Sequence, residues 1–589
     1  MFGWTGKLLR ANLTEQKITS EEIDEKRAKN FMGGRGLGVS YLSSEVDPRI
    51  DPLSHENKLI FATGPATATY ALGSSRYEVI AKSPLSGAIA GANSAGYWGP
   101  ELKLAGYDMI IVEGKAKEPV YLWLNNEKAE IRSAKGVWGR DTYRTQELIR
   151  SQTKKNARVC CIGPAGENLV KFACIMNDKG RAAGRGGLGA IMGSRNLKAI
   201  AIKGDKRFPL ADKGRLKELA KGIFGKIPKP MALAEGGTSY VLEIANELGI
   251  LPTRNFQTGV FGGAHKIGGK ALHAGFFIKR AHCYGCPVGC GRITRVQVPP
   301  FEWNGDGPEF EGLASLGSAC GVDDLAAVIK AYFICNEMGI DVMSMGYTLS
   351  CAMELCQKGF LSAKDLGMKL EFGDGKAIVE LVKKTAFREG FGNLLAEGSY
   401  RLAEFYGHPE FSMSVKKIEL PGYDPRGSKG LGLGYAVSTC GASHMRSQFE
   451  NYEALGMPYP GIGITEPLDR FSRSGKALHL INAENDKAAT DSMGICAFLS
   501  GYKIGLDNVV EQLEVITGIN YGKEGWLKAG ERIVNLERVF NLGAGFTFND
   551  DVLPKRFTEE PMPEGPTQGN ICELQEMLDE YYQLRGWNR

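Results

Sequence analysis

The sequence lacks any apolar run of about 18 residues, the length that a membrane-spanning helix requires. Its start, Met1-Phe-Gly-Trp-Thr-Gly-Lys, also lacks the basic and then apolar pattern of a secretion signal. Charge of either sign is not in large excess, because 72 basic residues stand against 67 acidic ones. We therefore expect a cytoplasmic protein with no membrane span, and neither nucleic acid nor another polyanion as its partner.

Histidine is scarce, with seven residues, and the phosphate-binding pattern G-x-x-x-x-G-K-[ST] is absent. The spacing of Gly184, Gly186 and Gly189 fits G-x-G-x-x-G, but no strand–helix–strand unit with a suitably placed acidic residue surrounds it. The 13 cysteines are scattered over 589 residues, unlike those of a small disulfide-linked domain. Nucleotide-binding folds and disulfide scaffolds are thus disfavoured, and most cysteines are expected to be buried and reduced.

Glycine is the residue in excess, with 77 residues, which is about twice the usual share. Many glycines gather in segments that we predict to be loops, such as residues 33–38, 91–99 and 177–189. Bare backbone in such loops suits close packing against something that is not protein. In the same half of the chain Arg76, Arg181 and Arg185 could bind phosphate by forked hydrogen bonds, although an ordinary ion pair explains each of them better when taken alone.

The pattern of apolar residues changes along the chain. Up to about residue 208, short apolar or alternating runs bounded by Gly, Pro, Asn or Asp predict strands. From residue 209, longer amphipathic runs predict helices, for example over residues 323–338 and 523–540. The change indicates a strand-rich part followed by a helical part.

A second boundary lies within the helical part. The pair Pro421-Gly422 interrupts the pattern, and residues 424–434 form a glycine-rich segment that we predict to be a loop. The predicted fold class is α+β with three domains. They are a β-rich domain over 1–208 and two mainly α-helical domains over 209–415 and 416–589.

The strongest chemical signal is a group of three cysteines, Cys283, Cys286 and Cys290, spaced C-x2-C-x3-C in a glycine-rich segment. Soft thiolates this close together can bind zinc, copper(I) or an iron–sulfur cluster. Zinc usually takes a second pair of ligands with a short spacing of its own, and none lies nearby, whereas an iron–sulfur cluster accepts a distant fourth cysteine. We therefore favour an iron–sulfur cluster and keep zinc as the alternative.

Several later cysteines could supply a fourth ligand, and Cys496 differs from the others in its setting. It ends the segment Asp491-Ser492-Met493-Gly494-Ile495-Cys496, which follows a predicted helix. The earlier segment Asn336-Glu337-Met338-Gly339-Ile340-Asp341 has the same pattern. Two similar turns could hold two similar halves of a ligand, although two ordinary glycine-ended helices also explain the repetition.

Two further polar residues stand out by their type and surroundings. Glu311 follows Gly307-Pro308, and His444 lies in the glycine-bearing segment Gly441-Ala442-Ser443-His444. A carboxylate and an imidazole in one site would form an acid/base pair. A surface ion pair for Glu311 and a backbone-bonded His444 explain the sequence equally well.

Together these residues resemble those of the tungsten-dependent aldehyde:ferredoxin oxidoreductase family. The resemblance covers essentially the whole chain. Besides the cysteine triplet it is carried by Gly6-x-x-x-Arg10-x-Asn12-Leu13, Lys82-Ser83-Pro84-Leu85, Ala92-Asn93-Ser94, Gly163-Pro164-Ala165-Gly166-Glu167-Asn168, Arg181-Ala182-Ala183-Gly184-Arg185-Gly186-Gly187, Tyr423-Asp424-Pro425-Arg426-Gly427 and Pro554-Lys555-Arg556-Phe557.

The resemblance implies two cofactors and their binding residues. Cys283, Cys286, Cys290 and Cys496 would hold a [4Fe–4S] cluster. A tungsten bis-pterin of the molybdopterin type would be held at its metal by pterin sulfurs, and the two similar segments match the family's pterin motifs D-x-x-G-L-[C/D], with Asn336 in place of the usual aspartate. The cofactor-binding residues implied in this way are Arg76, Arg181, Arg185, Asn336, Gly339, Asp341, Asp491, Gly494 and Ile495. A magnesium ion would bridge the pterin phosphates and bind the backbone carbonyls of Asn93 and Ala183.

The implied reaction is the oxidation of an aldehyde to a carboxylic acid, with Glu311 and His444 as the active-site carboxylate and histidine. Electrons would leave through the cluster to ferredoxin or to separate iron–sulfur and flavin subunits. Lys330 stands where some family members have a glutamate that binds iron between two subunits, so we expect a hetero-oligomer, with a homodimer as the alternative. Two other functions stay open: another tungsten enzyme of the same fold, such as a benzoyl-coenzyme A reductase catalytic subunit, and a non-catalytic iron–sulfur or zinc scaffold.

Overall fold

The computed structural model describes residues 1–227 and 232–588. The amino-terminal part contains two six-stranded sheets. The strands are β1 (Lys7–Asn12), β2 (Lys17–Glu22), β3 (Leu59–Thr63), β4 (Tyr77–Lys82), β5 (Ile89–Ser94), β6 (Met109–Glu113), β7 (Val120–Asn125), β8 (Lys128–Ser133), β9 (Arg158–Cys161), β10 (Ile175–Asn177), β11 (Arg181–Ala183) and β12 (Leu197–Lys203). The strand order is β2-β1-β6-β3-β4-β5 in the first sheet and β11-β10-β9-β12-β7-β8 in the second.

The residues of each strand explain its position in the sheet. β3 has the sequence LIFAT and is buried at every position, because the helices Gly34–Glu45 and Trp98–Leu104 both pack against it. β2 and β8 read KITSEE and KAEIRS, and both lie at sheet edges with charged side chains towards solvent.

The two sheets meet along a seam formed by β5 and β11. Each of these strands ends its own sheet, and the two contact each other. An edge strand leaves backbone N–H and C=O groups unpaired on one side. Asn93 lies in β5 and Ala183 in β11, so both residues predicted to offer a backbone carbonyl to magnesium belong to this seam.

The rest of the described chain is mainly helical. Its longer helices are Lys213–Lys226, Leu325–Met338, Val342–Gln357, Gly375–Phe387, Lys429–Val437, Lys476–Met493, Leu506–Thr517, Gly522–Gly543 and Leu574–Arg585. A three-stranded sheet of β13 (Phe277–Ala281), β14 (Gly291–Val296) and β15 (Trp303–Asp306) carries the cysteine triplet between its first two strands, and β16 (Ser414–Val415) pairs with β17 (Ile418–Glu419). Within residues 1–227 and 232–588, no helix is both long and apolar enough to cross a membrane.

The helix Lys476–Met493 lies at the centre of the helical part although its sequence is polar. It packs against helices from both ends of the chain, namely Gly34–Glu45, Gly522–Gly543 and Leu574–Arg585. Its charged side chains are buried and paired, as Glu484 is with Arg585 at 2.8 Å and Lys487 with Asp491. Losing one partner of a buried ion pair costs about 3–5 kcal/mol, so these pairs hold the helix in place.

The α+β fold class, with strands first and helices after, is confirmed. The glycine-rich segments predicted to be loops contain regular structure: residues 34–38 belong to the helix Gly34–Glu45, and residues 429–434 to the helix Lys429–Val437. Residues 91–94 belong to β5 and residues 98–99 to the helix Trp98–Leu104, and residues 177–189 contain β11 and the start of the helix Leu188–Ser194. These prediction errors have a packing reason, because a Cβ on Gly36 would lie 2.6 Å from Cδ1 of Ile533. Close helix packing thus outweighs the low helix propensity of glycine. The division at residue 415 stays a prediction.

Candidate active site

A cavity opens where the seam of the two sheets meets the helical part. Three glycines, Gly91, Gly184 and Gly186, place bare backbone on its wall. The side chains on the wall come from the first sheet, from the loop after β11 and from the helical part, and they include Arg76, Glu78, Asn93, Arg185, Met343, Ile418, Cys440, His444, Arg446, Lys487 and Asp491. Five residues predicted for the site from sequence therefore line one cavity: Arg76, Asn93, Arg185, His444 and Asp491.

Several buried polar atoms at this cavity and its edge have no hydrogen-bond partner. They include Nε of Arg76 and of Arg185, Oε2 of Glu78, Oε1 of Glu311 and Nδ1 of His444. Each buried atom left unpaired costs about 1–3 kcal/mol, so proteins keep such groups mainly where a ligand or water completes them. Guanidinium donors beside carboxylate acceptors, with glycine backbone between them, fit a flat ligand that carries both phosphate and hydrogen-bonding ring edges. A phosphorylated pterin is such a ligand.

Residues 336–341, called the first turn below, end the helix Leu325–Met338. Gly339 closes the helix in the left-handed conformation, with φ of 73°. Its carbonyl oxygen accepts a hydrogen bond from the N–H of Cys174 at 2.9 Å, which fastens the turn to the second sheet.

The polar residues at the two ends of the first turn have different surroundings. Nδ2 of Asn336 is buried without a close hydrogen-bond partner. Asp341 begins the helix Val342–Gln357, accepts hydrogen bonds from two of its N–H groups, and lies 3.5 Å from Nε of Arg185. Asp341 is thereby fixed by helix and arginine together, whereas the side chain of Asn336 interacts with the hydroxyl of Tyr143, a residue of a separate surface cleft.

Residues 491–496, called the second turn below, end the helix Lys476–Met493. Gly494 is left-handed here as well, with φ of 86°, and its carbonyl accepts the N–H of Arg76 at 3.3 Å. The guanidinium of Arg76 donates to Sγ of Cys496 at 2.9 Å and to Oδ1 of Asn93 at 3.0 Å. Arg76 therefore joins the second turn to the seam between the sheets.

The cysteine triplet is tied to Cys496 through one glycine. The N–H of Cys496 donates to the carbonyl of Gly73 at 3.0 Å, and the N–H of Gly73 donates to the carbonyl of Gly285 at 2.8 Å. Burial and then the neighbouring Cys496 thiol raise the pKa of Cys286, and burial, Glu309 and Cys496 do the same for Cys290.

The pKa of Arg76 also shows that the cysteine triplet and Cys496 lie close together. Burial alone would lower the pKa of its guanidinium, but Cys496, Cys283 and Cys290 raise it overall. The structure thus brings the four predicted cluster cysteines around Arg76 and Gly73. Within the described part of the chain, no three or more Cys, His, Asp and Glu side chains are arranged to hold a single metal ion. Zinc takes its thiolates at about 2.3 Å from one point, whereas each iron of a [4Fe–4S] cluster takes one thiolate, and the cluster stays a prediction.

Glu311 and His444 face each other at the edge of the cavity. Oε1 of Glu311 lies 3.5 Å from Nδ1 of His444, and Oε2 accepts the N–H of Gly422 at 2.9 Å. Burial raises the pKa of Glu311 to about 7, although Gly422 and Arg185 act against it. Burial, with Arg185 and Lys487 acting in the same direction, lowers the pKa of His444 to about 3. Near neutral pH the imidazole is uncharged, and the carboxyl group can either hold or take a proton.

Arg181 lies away from the cavity wall. Its guanidinium is 3.2 Å from Asp306, and it lies close enough to Cys283 and Cys290 that their thiols help to raise its pKa. It borders the cysteine loop and a separate surface cleft rather than the central cavity. A contact with the pterin therefore has less support for Arg181 than for Arg185.

Several residues of the site were missed in the sequence. Glu78, Cys440, Arg446 and Lys487 line the cavity, and Nε of Arg446 donates to Sγ of Cys440 at 3.1 Å. Glu450 is buried behind Glu311, and burial raises its pKa to about 8. Arg446 and Cys440 had a usable signal, because they flank the segment of His444; Glu78, Lys487 and Glu450 come from three separate elements.

Known proteins match this chain over its whole length. Residues 8–204 match the family model "Aldehyde ferredoxin oxidoreductase, N-terminal domain", and residues 216–589 match "Aldehyde ferredoxin oxidoreductase, domains 2 & 3". The tungsten-containing aldehyde ferredoxin oxidoreductase of Pyrococcus furiosus is 47% identical over 595 residues, which cover 100% of this chain and 97% of that protein. Its counterpart in Pyrococcus horikoshii is 46% identical, with the same coverage.

A solved structure shares the fold at lower identity. It is an active-site complex of benzoyl-coenzyme A reductase with 1,5-dienoyl-CoA, with a TM-score of 0.85, 26% identity, and coverage of 100% of this chain and 95% of that one. The higher full-length identity is to the aldehyde enzymes, so the benzoyl-coenzyme A alternative is the less supported one. The family predicted from the sequence is confirmed, and with it an oxidoreductase: this chain belongs to the aldehyde ferredoxin oxidoreductase family.

Proposed function

We propose that the protein oxidises aldehydes to carboxylic acids and passes the electrons on to an iron–sulfur acceptor. The observation that carries the proposal is the buried pair of Glu311 and His444, whose facing atoms have no other partner. The pair stands at the edge of a cavity suited to a phosphorylated pterin. The relatives named above, which are tungsten-containing aldehyde oxidoreductases, support the same reaction.

The bound cofactors would be a tungsten bis-pterin, a magnesium ion and a [4Fe–4S] cluster. Asp491, Asn336 and Arg185 would hold the pterins, the carbonyls of Asn93 and Ala183 would hold magnesium, and the four cysteines grouped around Arg76 would hold the cluster. When bound, the tungsten centre would supply a two-electron acceptor for aldehyde oxidation. Because pterin sulfurs would hold the metal, no protein side chain would bind tungsten or molybdenum directly.

Glu311 and His444 have complementary roles in this proposal. Neutral His444 donates from Nε2 to the aldehyde oxygen once Glu311 has taken a proton and faces Nδ1 as a donor, and this stabilises the negative charge that develops on that oxygen. Ionised Glu311 takes a proton from the attacking water. Its Oε1 can then donate that proton towards Nδ1 of His444, 3.5 Å away. One aldehyde and one water give one carboxylic acid, two protons and two electrons.

The electrons would leave through the cluster, one at a time. The second turn supports this route, because it contributes Asp491 to the cavity and Cys496 to the cysteine group. The acceptor would be ferredoxin or a separate iron–sulfur and flavin subunit in a hetero-oligomer. A cytoplasmic location completes the proposal.

The proposal is tested on purified protein loaded with metal, with benzaldehyde or acetaldehyde as substrate and benzyl viologen as acceptor. Removing the base in Glu311→Gln should lower kcat/KM by about 10²–10⁴-fold, and His444→Ala by about 10²–10³-fold. The exposed Glu302→Gln is the matched control and should leave the rate unchanged. Wild-type protein with full tungsten and iron that oxidises no aldehyde, but reduces an aromatic coenzyme A thioester, would overturn the proposal in favour of the benzoyl-coenzyme A reaction.

A further inference from the structure

A surface cleft distinct from the central cavity borders the cysteine loop. Ala281 and His282, which directly precede Cys283, lie on its wall. Gly96 also lies there, and its carbonyl accepts the N–H of Tyr284 within the loop at 3.1 Å. The cleft is therefore in direct contact with the segment that carries three of the four grouped cysteines.

The cleft has more positive than negative side chains. Four basic residues line it, namely Arg150, Arg158, Lys179 and Arg181, against the two acids Asp178 and Asp306. Three of the four bases are paired, Arg158 with Asp178 at 3.3 Å, Arg181 with Asp306 at 3.2 Å and Lys179 with Glu147 at 3.1 Å, so Arg150 carries the unbalanced positive charge of the cleft wall.

Strand β13, which leads into the cysteine loop, adds to the positive charge beside the cleft. It carries the exposed residues Lys279 and Arg280; Lys279 pairs across the sheet with Ile293 of the cleft wall, whereas the guanidinium of Arg280 donates to the carbonyl of Ala234 at 3.4 Å. The whole chain is nearly neutral in charge, at +5 over 589 residues. The excess at this loop is therefore a local feature and not a reflection of overall composition.

Arg181 connects the cleft to the cysteines. A Cβ on Gly291, the residue after Cys290, would collide with the guanidinium of Arg181, so the two are in close contact. Tyr97, Tyr143 and Trp303 also lie on the cleft wall. Tyrosine, tryptophan and arginine are the residues that protein interfaces favour, because they give large contact areas with polar edges.

We infer that this cleft and its β13 rim form the docking site of an acidic iron–sulfur protein that takes electrons from the cluster. The inference rests on the proposed function, since it assigns the surface through which the electrons of that reaction leave. Electron-transfer complexes are small and short-lived, and opposite charges steer their encounter more than they tighten it. A positive surface that touches the cysteine loop meets both requirements. Each docking event would carry one electron, so two partner molecules are reduced per aldehyde.

The test compares two electron acceptors on the same metal-loaded enzyme. Lys179→Glu and Lys279→Glu, alone and combined, reverse charge at exposed positions outside the cavity. Lys364→Glu makes the same change on an exposed part of the helical domain and is the control. With a small acidic [4Fe–4S] ferredoxin at low salt, the double variant should lose about tenfold or more in rate. With benzyl viologen, which needs no docking, all variants should match the wild type.

Salt gives a second readout. Raising ionic strength to 0.15 M shortens the screening length to about 8 Å, so the difference between wild type and double variant should shrink. A double variant with the full ferredoxin-linked rate at low salt would overturn the inference, as would an equal loss in Lys364→Glu. If the wild type fails with viologen as well, the proposed function fails, and the docking site is then decided by direct titration of the ferredoxin: weaker binding to the double variant than to Lys364→Glu supports it, and equal binding overturns it.

Discussion

The first turn (336–341) and the second turn (491–496) share one backbone arrangement. Each ends a long helix at a left-handed glycine. Each also packs on a Gly-Pro-Ala segment: the first turn on Gly163-Pro164-Ala165, which follows β9 of the second sheet, and the second turn on Gly64-Pro65-Ala66, which follows β3 of the first sheet. A Cβ on Gly163 would overlap the carbonyl of Met338, and one on Gly64 that of Met493. The carbonyl of each turn glycine then accepts an N–H from the residue that precedes β10 or β4.

The two turns share this backbone arrangement but carry different side chains, and they lie beside different groups. The residue before β10 is the buried Cys174, whereas the residue before β4 is Arg76, which reaches Cys496. The first turn ends on Asp341, which with Arg185 lies near Glu311. The second ends on Cys496 among the cysteines. The same backbone arrangement therefore lies beside the proposed proton-transfer residues in the first turn and beside the proposed electron exit in the second.

The largest expected effect comes from the end residue of the second turn. Cys496→Ser should remove a thiolate that cluster assembly needs, so iron content and the broad visible absorbance of the cluster should be lost, together with aldehyde oxidation by any acceptor. Cys572→Ser, a buried cysteine outside both turns, is the control and should keep its iron. A Cys496→Ser protein with four irons per chain would remove Cys496 from the ligand set and leave the two turns functionally alike.

The acids of the two turns should differ in how much stability they hold. Asp491 is buried with Lys487 and lies 3.6 Å from Arg35. Asp491→Asn leaves a buried ammonium without its carboxylate, and we expect a loss of about 3–5 kcal/mol in the free energy of unfolding.

Asp341→Asn is the matched variant of the first turn. Asparagine begins a helix as well as aspartate does, and Arg185 keeps hydrogen bonds to the carbonyls of Ala442 and Glu419, so the loss should be clearly smaller. Urea titration of both proteins under one set of conditions measures the difference. Equal losses would show that the buried ion pair gives the second turn no special stability.

How far the sequence predicts this arrangement depends on the spacing of the residues involved. The Met-Gly-Ile repetition is local, so both turns were predicted from sequence, and short apolar or alternating runs predicted the seven strands β1, β3, β4, β6, β7, β9 and β12. The packing of each turn on a Gly-Pro-Ala segment was not predicted, since it joins residues such as Gly64 and Met493 that only the fold brings together. Glu78, Lys487 and Glu450 were missed for the same reason: each is an isolated charged residue whose burial depends on distant helices and strands.

The glycines under the two turns test whether the two backbone arrangements are equivalent in packing. Gly64→Ala and Gly163→Ala each force a methyl group against a backbone carbonyl, and overpacking of this kind costs about 1–3 kcal/mol. We expect similar losses of thermal stability for the two variants. Gly222→Ala, in the helix Lys213–Lys226 with no atom within 4 Å of the added group, is the control, and should be stabilised by about 0.5–1 kcal/mol. A large loss in only one of the two turn variants would show that the turns differ in packing as well as in side chains.

Two carboxyl groups at the cavity have a pKa raised to about 7 by burial, Glu311 on the side of the first turn and Glu78 beside Asp491 of the second. We expect Glu311, as the base, to set the main pH dependence of the reaction. Because burial raises the pKa of Glu311 to about 7, the carboxylate that serves as base becomes more abundant as pH rises. Below that value kcat/KM with viologen should therefore rise about tenfold per pH unit, and it should level off above it. His444 should add no step near neutrality, since burial lowers its pKa to about 3.

Two variants separate this origin from other titrating groups. Glu311→Gln should flatten the profile as well as lower it, whereas Lys179→Glu, at the cleft beside the cysteine loop, should leave the viologen profile unchanged in shape. A rate that falls as pH rises through 7 would mean that the protonated carboxyl is the active form. Glu311 would then donate a proton instead of taking one, and the proton chemistry assigned to the first turn would run in the opposite direction.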